Sequence, residues 1–170
     1  MRTADQFLEQ MNEFARAYYT NPLINMSVDQ KGDEENGDMI NLPYQRGNMF
    51  LVLMDALISN KSNGTRSMDN VVQALLDRSR AHQGDKLEDL LDLLVKEVGP
   101  KARTEFEEMY RGKTLVMPEN SLGAGFTVEQ VQIPRGDCSP ATNGPCDQPV
   151  MVMAYQWKRK PGVSDAASPV

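Results

Sequence analysis

The chain has 170 residues, the size of one domain and long enough to bury a core. Its 18 Lys and Arg stand against 24 Asp and Glu, a net charge of -6, which argues against the basic footprint that nucleic-acid binding demands. No apolar run approaches the roughly 20 residues that cross a bilayer, and the start, "MRTADQFLEQ", has no apolar signal core, so neither a membrane span nor a secretory signal is expected in this chain.

Taken in chain order, the apolar residues Phe7, Leu8, Met11, Ala15 and Tyr18 recur at helical spacing, predicting an amphipathic helix over 4–19 with Thr3 as N-cap and "TNP" as its stop. The stretch "SVDQKGDEENGDMIN" is acidic and aperiodic, and it reads as an exposed loop. Its carboxylates do not follow the alternate-position pattern of a calcium-binding EF-hand, so solvation is the expected role. Pro43 then suits the first turn of a helix, where its missing N–H has no partner in any case. The helix predicted over 44–59 is apolar all round at 49–54 and should be the buried central one.

Ser67 and Asp69 mark the start of a third helix, whose stripe is Met68, Val71, Val72, Leu75 and Leu76. "HQGD" breaks it. The only histidine, His82, sits near the C-terminal end of this helix, where a cationic ring suits the dipole. Leu87, Leu90, Leu91, Leu94 and Val98 form a fourth stripe. Ala102, Phe106, Met109 and Tyr110 form a fifth, ended by Gly112. The fold class expected is mainly α: about five helices in an orthogonal bundle, with a small C-terminal β-hairpin.

The hairpin is predicted from "FTVEQVQI" and "PVMVMAYQW", the first of which slips by one residue in its alternation and suggests a bulge. Between them Cys138 and Cys146 bracket a Pro- and Gly-containing loop. A disulfide there would contribute about 2–3 kcal/mol and imply an oxidising compartment, and two free thiols are the alternative. The segments expected are therefore a helical domain over 1–125, a hairpin with a cysteine loop over 126–157 and a flexible tail over 158–170.

There is no H-E-x-x-H, no Cys/His cluster, no P-loop and no G-x-G-x-x-G in the chain, so no metal site of its own is expected. Chemistry points instead to "LPYQRGNMFLVLMDAL". Tyr44 there has two readings. It reads either as a ring in the core with a wet hydroxyl, or as a phenol at a helix N-terminus, donating to an oxyanion in a cleft with help from the dipole. Gly47 lowers helix propensity by about 1 kcal/mol and allows close backbone approach. Asp55, inside an apolar helix, is expected to accept a buried hydrogen bond from a neighbouring helix start or an Arg.

Four segments, in order, carry a family resemblance. "FARAYYTNPLIN" resembles an aromatic helix ending in a Tyr-Tyr-x-x-Pro-Leu turn, and "LPYQRGNMFLVLMDALI" a Tyr-x-Arg/Lys-Gly helix with an Asp near its middle. "NGTRSMDNVVQALLDRSR" resembles a Gly-x-x-Ser-Leu-Asp-Asp start, with Met68 for the usual Leu. "GPKARTEFEEMYRGKTLVMP" resembles the helix that precedes a Gly-x-x-x-x-x-Pro. Together they resemble the C-terminal part of the catalytic region in glycyl aminopeptidase-like zinc metallopeptidases, a family that often carries a PDZ domain. The resemblance spans 5–125 and implies the C-terminal half of a thermolysin-like catalytic region.

It implies further that Tyr44 stabilises the tetrahedral intermediate, with Arg46, Gly47 and Asp55 supporting the motif. Zinc is implied for the full-length parent, its ligands lying upstream of Met1. The implied partners are the upstream catalytic and β domains of the same polypeptide and a peptide substrate. A periplasmic or extracellular location is implied as well. This reading makes the chain a fragment, inactive alone. The alternative is a stand-alone helical protein-binding module derived from that fold.

Overall fold

The computed structural model describes residues 3–30, 37–84, 86–135 and 150–163. Five helices are followed by two strands: α1 (Ala4–Thr20), α2 (Gly37–Lys61), α3 (Met68–Arg80), α4 (Leu87–Val98), α5 (Lys101–Tyr110), β1 (Phe126–Pro134) and β2 (Met151–Arg159). The chain is thus mainly α with a small C-terminal antiparallel hairpin. No helix among the described residues is long and apolar enough to cross a membrane.

Capping explains several boundaries. Thr3 Oγ1 accepts from Gln6 N at 3.2 Å while Gln6 Oε1 accepts from Thr3 N at 3.0 Å, which occupies two of the orphan donors of the first turn of α1. Ser67 and Asn70 repeat the motif at α3. Asp89 accepts from Lys86 N at 3.0 Å at the start of α4. Gly99, at φ 88°, ends α4 in a conformation that glycine adopts without strain.

α2 begins earlier than its pattern suggests. Gly37–Asn41 are helical, so Pro43 lies inside the helix, where it removes the N–H that would reach the carbonyl of Met39. Ahead of Pro43 the apolar residues are Met39, Ile40 and Leu42, a run too short to show a helical stripe, and of these Leu42 is buried while Ile40 is exposed. α2 is central, but it is not buried all round. Met49, Phe50, Leu53 and Met54 are in the core, while Leu51 is 39% exposed. α3 likewise buries only Val71 fully and leaves Val72 and Leu76 exposed, so its stripe is narrower than expected. His82 lies beyond α3, exposed, at φ 54°.

The core joins the helices to the base of the hairpin. Phe50 of α2 meets Phe106 of α5 edge-on, with ring centroids 5.5 Å apart, and Phe7 of α1 meets Phe126 of β1 at 6.3 Å. Trp157 is buried, and its indole Nε1 donates to the buried Ser121 Oγ at 2.7 Å. A truncation there costs about 3–5 kcal/mol by the usual cavity penalty.

The strand register is unbroken from Phe126↔Arg159 to Pro134↔Met151, so the expected bulge is absent from β1. The slip in the alternation has another cause. Phe126 and Val128 share one face with Trp157, whereas Val131 and Ile133 share the other with Ala154, so each end of the ribbon buries a different face. Residues 158–163 also differ from the tail expected, and the rest of that tail lies outside the described residues. Lys158 and Arg159 belong to β2, and Lys160 N donates to Gly125 O at 3.0 Å. Cys138 and Cys146 lie outside the described residues.

Candidate functional site

The turn after α1 is stitched to α2 by buried polar side chains. Asn21 accepts from Leu23 N at 2.8 Å through Oδ1, the local turn that an Asn-Pro pair favours. Its Nδ2 donates to Asp38 O at 2.9 Å and to Gln45 Oε1 at 2.8 Å. Arg46 is 3% exposed, and its Nη2 donates to Ile24 O at 2.8 Å and to Met26 O. Two carbonyls therefore hold the guanidinium, and no carboxylate pairs with it among the described residues. Burial lowers its affinity for the proton below the ordinary arginine value, and the neighbouring Tyr18 works the other way.

The tyrosine pair that ends α1 fixes a third segment. Tyr18 Oη accepts from Leu115 N at 3.1 Å, and Tyr19 Oη donates to Leu115 O at 2.9 Å. Both backbone groups of Leu115 are thereby satisfied inside the core. Burial raises both phenols above the ordinary range; the bond from Leu115 opposes this at Tyr18, and the rings of Tyr18 and Tyr155 add to it at Tyr19. Gly112 completes the junction. At φ 93° it has no room for a side chain, because a Cβ would lie 2.2 Å from Asn25 O, while Asn25 Nδ2 donates to Gly112 O at 3.0 Å. Three of the four sequence segments that carry the resemblance thus meet around the turn after α1: the first is that turn, the second reaches it through Gln45 and Arg46 of α2, and the fourth through Gly112 and Leu115.

Tyr44 stands on that anchored helix and points away from the core, 73% exposed. Its ring is not core. It is also two turns into α2 rather than at the N-terminus, so the helix dipole adds little to its hydroxyl. Gly47 lies on the same side one turn later, and a Cβ there would meet nothing within 4 Å. With Leu51 a further turn along, the outer face of α2 offers a phenol, a gap and an aliphatic edge in line.

Asp55 serves elsewhere. Its Oδ1 accepts from Met68 N at 2.6 Å, capping the start of α3. It lies about 16 Å further along the helix axis from Tyr44, at 1.5 Å per residue. Of the residues singled out in the sequence, Tyr44 and Gly47 share a face, Arg46 anchors that face from behind, and Asp55 is not gathered with them. The clamp residue Asn21 was missed; its only signal was the Asn-Pro step. No protein-family model matches the chain, and no curated protein matches it.

Proposed function

We propose that this chain is the C-terminal part of the catalytic region of a zinc metallopeptidase of the glycyl aminopeptidase-like kind, inactive by itself. The observation that carries the reading is Tyr44. A phenol 73% exposed on a helix whose opposite side is clamped by Arg46 is positioned rather than buried, and among the described residues no hydrogen bond or ring contact engages it. In the reaction proposed, the Tyr44 hydroxyl donates a hydrogen bond to the oxygen on which charge develops as a peptide carbonyl becomes tetrahedral. Arg46 orients by fixing α2, and Gly47 leaves space beside the phenol for substrate or for neighbouring polypeptide.

Zinc supplies polarisation and an activated water in such enzymes. Among the described residues no three His, Cys, Asp or Glu side chains converge to hold a metal ion. The reading therefore assigns the metal to H-E-x-x-H and a further Glu in polypeptide ahead of Met1, and no metal step is derived from this chain. The upstream catalytic and β domains are the partners that cover the Tyr44 face, the substrate is a peptide, and the compartment is periplasmic or extracellular.

The test is to read the coding sequence ahead of the Met1 codon. An in-frame H-E-x-x-H is the expected result. A stop codon with no such motif overturns the reading and leaves a stand-alone binding module.

A further inference from the structure

The two edges of the hairpin differ. α1 lies along the outer edge of β2, with a cleft between helix and hairpin, and Asn12 takes both backbone groups of Trp157: Oδ1 accepts from its N–H at 2.8 Å, and Nδ2 donates to its C=O at 3.0 Å. The outer edge of β1 is open. Lys160 N donates to Gly125 O at 3.0 Å and Arg135 N to Val150 O at 2.7 Å. In an antiparallel register this turns the backbone groups of the odd-numbered residues of β1 toward β2 and those of the even-numbered residues away. Among the described residues nothing bonds the outward N–H and C=O of Val128, Gln130 or Gln132. Glu129 and Gln130 point to opposite faces of the ribbon and both are exposed, so neither face is covered at the centre of β1.

The open stretch has defined ends. Phe126 N already donates to Gly123 O at 3.2 Å, and Pro134 has no N–H to give. Val128, Gln130 and Gln132 remain, spaced evenly about Gln130, and a stretch of this kind is its own complement. A second copy turned by a two-fold axis at Gln130 runs antiparallel and sets Val128 opposite Gln132, Gln130 opposite Gln130, and Gln132 opposite Val128. Each pair exchanges two bonds, so the three pairs make six. Glu129 then falls opposite Val131. A slip one way sets Glu129 opposite Glu129, a like-charge contact, and a slip the other way leaves Val128 C=O facing Pro134, which cannot donate. The side chain at the axis suits the arrangement as well. Gln130 Nε2 donates to Tyr155 Oη at 2.8 Å, and among the described residues its Oε1 has no partner. Across the axis each Oε1 can accept the second amide proton of the other Gln130.

We propose that the β1 edge is the interface for a second copy of this chain, β1 against β1 and antiparallel about Gln130, which joins two hairpins into one four-stranded sheet. An unpaired strand edge is a template for another strand, and the one strand whose donors, acceptors, ends and charges match this edge in register is β1 itself. The contact is a single pair of strands and falls short of the roughly 1,000 Å² of a stable interface, so the dimer is weak, with a Kd on the order of 10–100 µM. The interface stands independently of the Tyr44 face and of the peptidase reading.

The test is sedimentation velocity of the whole chain from about 5 to about 500 µM, under reducing conditions so that no disulfide joins two chains. The average mass should rise toward that of a dimer. Over the same range, hydrogen exchange read by NMR should slow about threefold to tenfold at the amides of Val128, Gln130 and Gln132. The amides of Thr127, Glu129 and Val131, which face β2, should not change. Gln132→Pro removes an outward N–H that the fold does not use, at an exposed edge position where proline is tolerated, and should abolish the mass increase. Gln132→Ala keeps that N–H and should dimerise like the parent. Circular dichroism checks that both variants fold, and if Gln132→Pro does not, the exchange pattern of the unsubstituted chain decides. A monomer at about 500 µM, a dimer that survives Gln132→Pro, or a dimer without new protection at Val128, Gln130 and Gln132 overturns the proposal.

Discussion

Arg46 and Gly47 are neighbours in sequence with opposite environments. Arg46 is enclosed and its Nη2 reaches two backbone carbonyls; Gly47 has open space where a side chain would go. A glycine inside a helix costs about 0.5–1 kcal/mol relative to alanine, and no neighbour among the described residues requires it. Gly47→Ala in the isolated chain should therefore raise the melting temperature by about 1–4 °C. A lower melting temperature would mean that the space is needed by this chain itself. Tyr44 was visible in the sequence as a candidate, but its two readings differ only in which way the ring points. Composition and spacing carry no information on that, because the direction is set by Asn21 and Arg46 tying the preceding turn across the other side of α2.

Among the elements, the helices were legible where capping and periodicity agree. Thr3 with Gln6 and Ser67 ahead of Met68 place two starts correctly, and Leu87–Val98 is found whole. The start of α2 was not legible, since Gly37–Asn41 form helix without an apolar stripe and ahead of a proline. β1 misled for a different reason. Two faces of one twisted strand are buried at its two ends, and in sequence this is indistinguishable from a bulge. What holds the hairpin to the helices is equally invisible to periodicity, because Asn12 is a polar residue completing a strand edge across 145 positions of sequence separation. Asn12→Ala leaves the Trp157 N–H and C=O without their partners, a loss of about 1–3 kcal/mol. Hydrogen exchange at the Trp157 amide should quicken about 5–150-fold, the factor to which that loss corresponds. Unchanged protection there would show that Asn12 does not hold the edge.

For the whole molecule, the mainly α class with a terminal hairpin followed from the sequence because five apolar stripes and two alternating runs each fit one element. The candidate site followed only in part. Tyr44, Arg46 and Gly47 were named, and Asp55 accepts from the start of α3 as its place in an apolar helix implied, whereas the α1–hairpin cleft arises from residues more than a hundred positions apart. On the proposed peptidase reading, the tyrosine, the gap and the leucine on the outer side of α2 are covered by the upstream domains, and the most direct test of that reading is catalytic. In the full polypeptide that includes the upstream region, hydrolysis of a glycyl peptide amide is measured for the parent and for Tyr44→Phe. The account predicts a kcat lower by about 10²–10³-fold with KM little changed, as for loss of one oxyanion donor. A kcat equal to the parent's would contradict it.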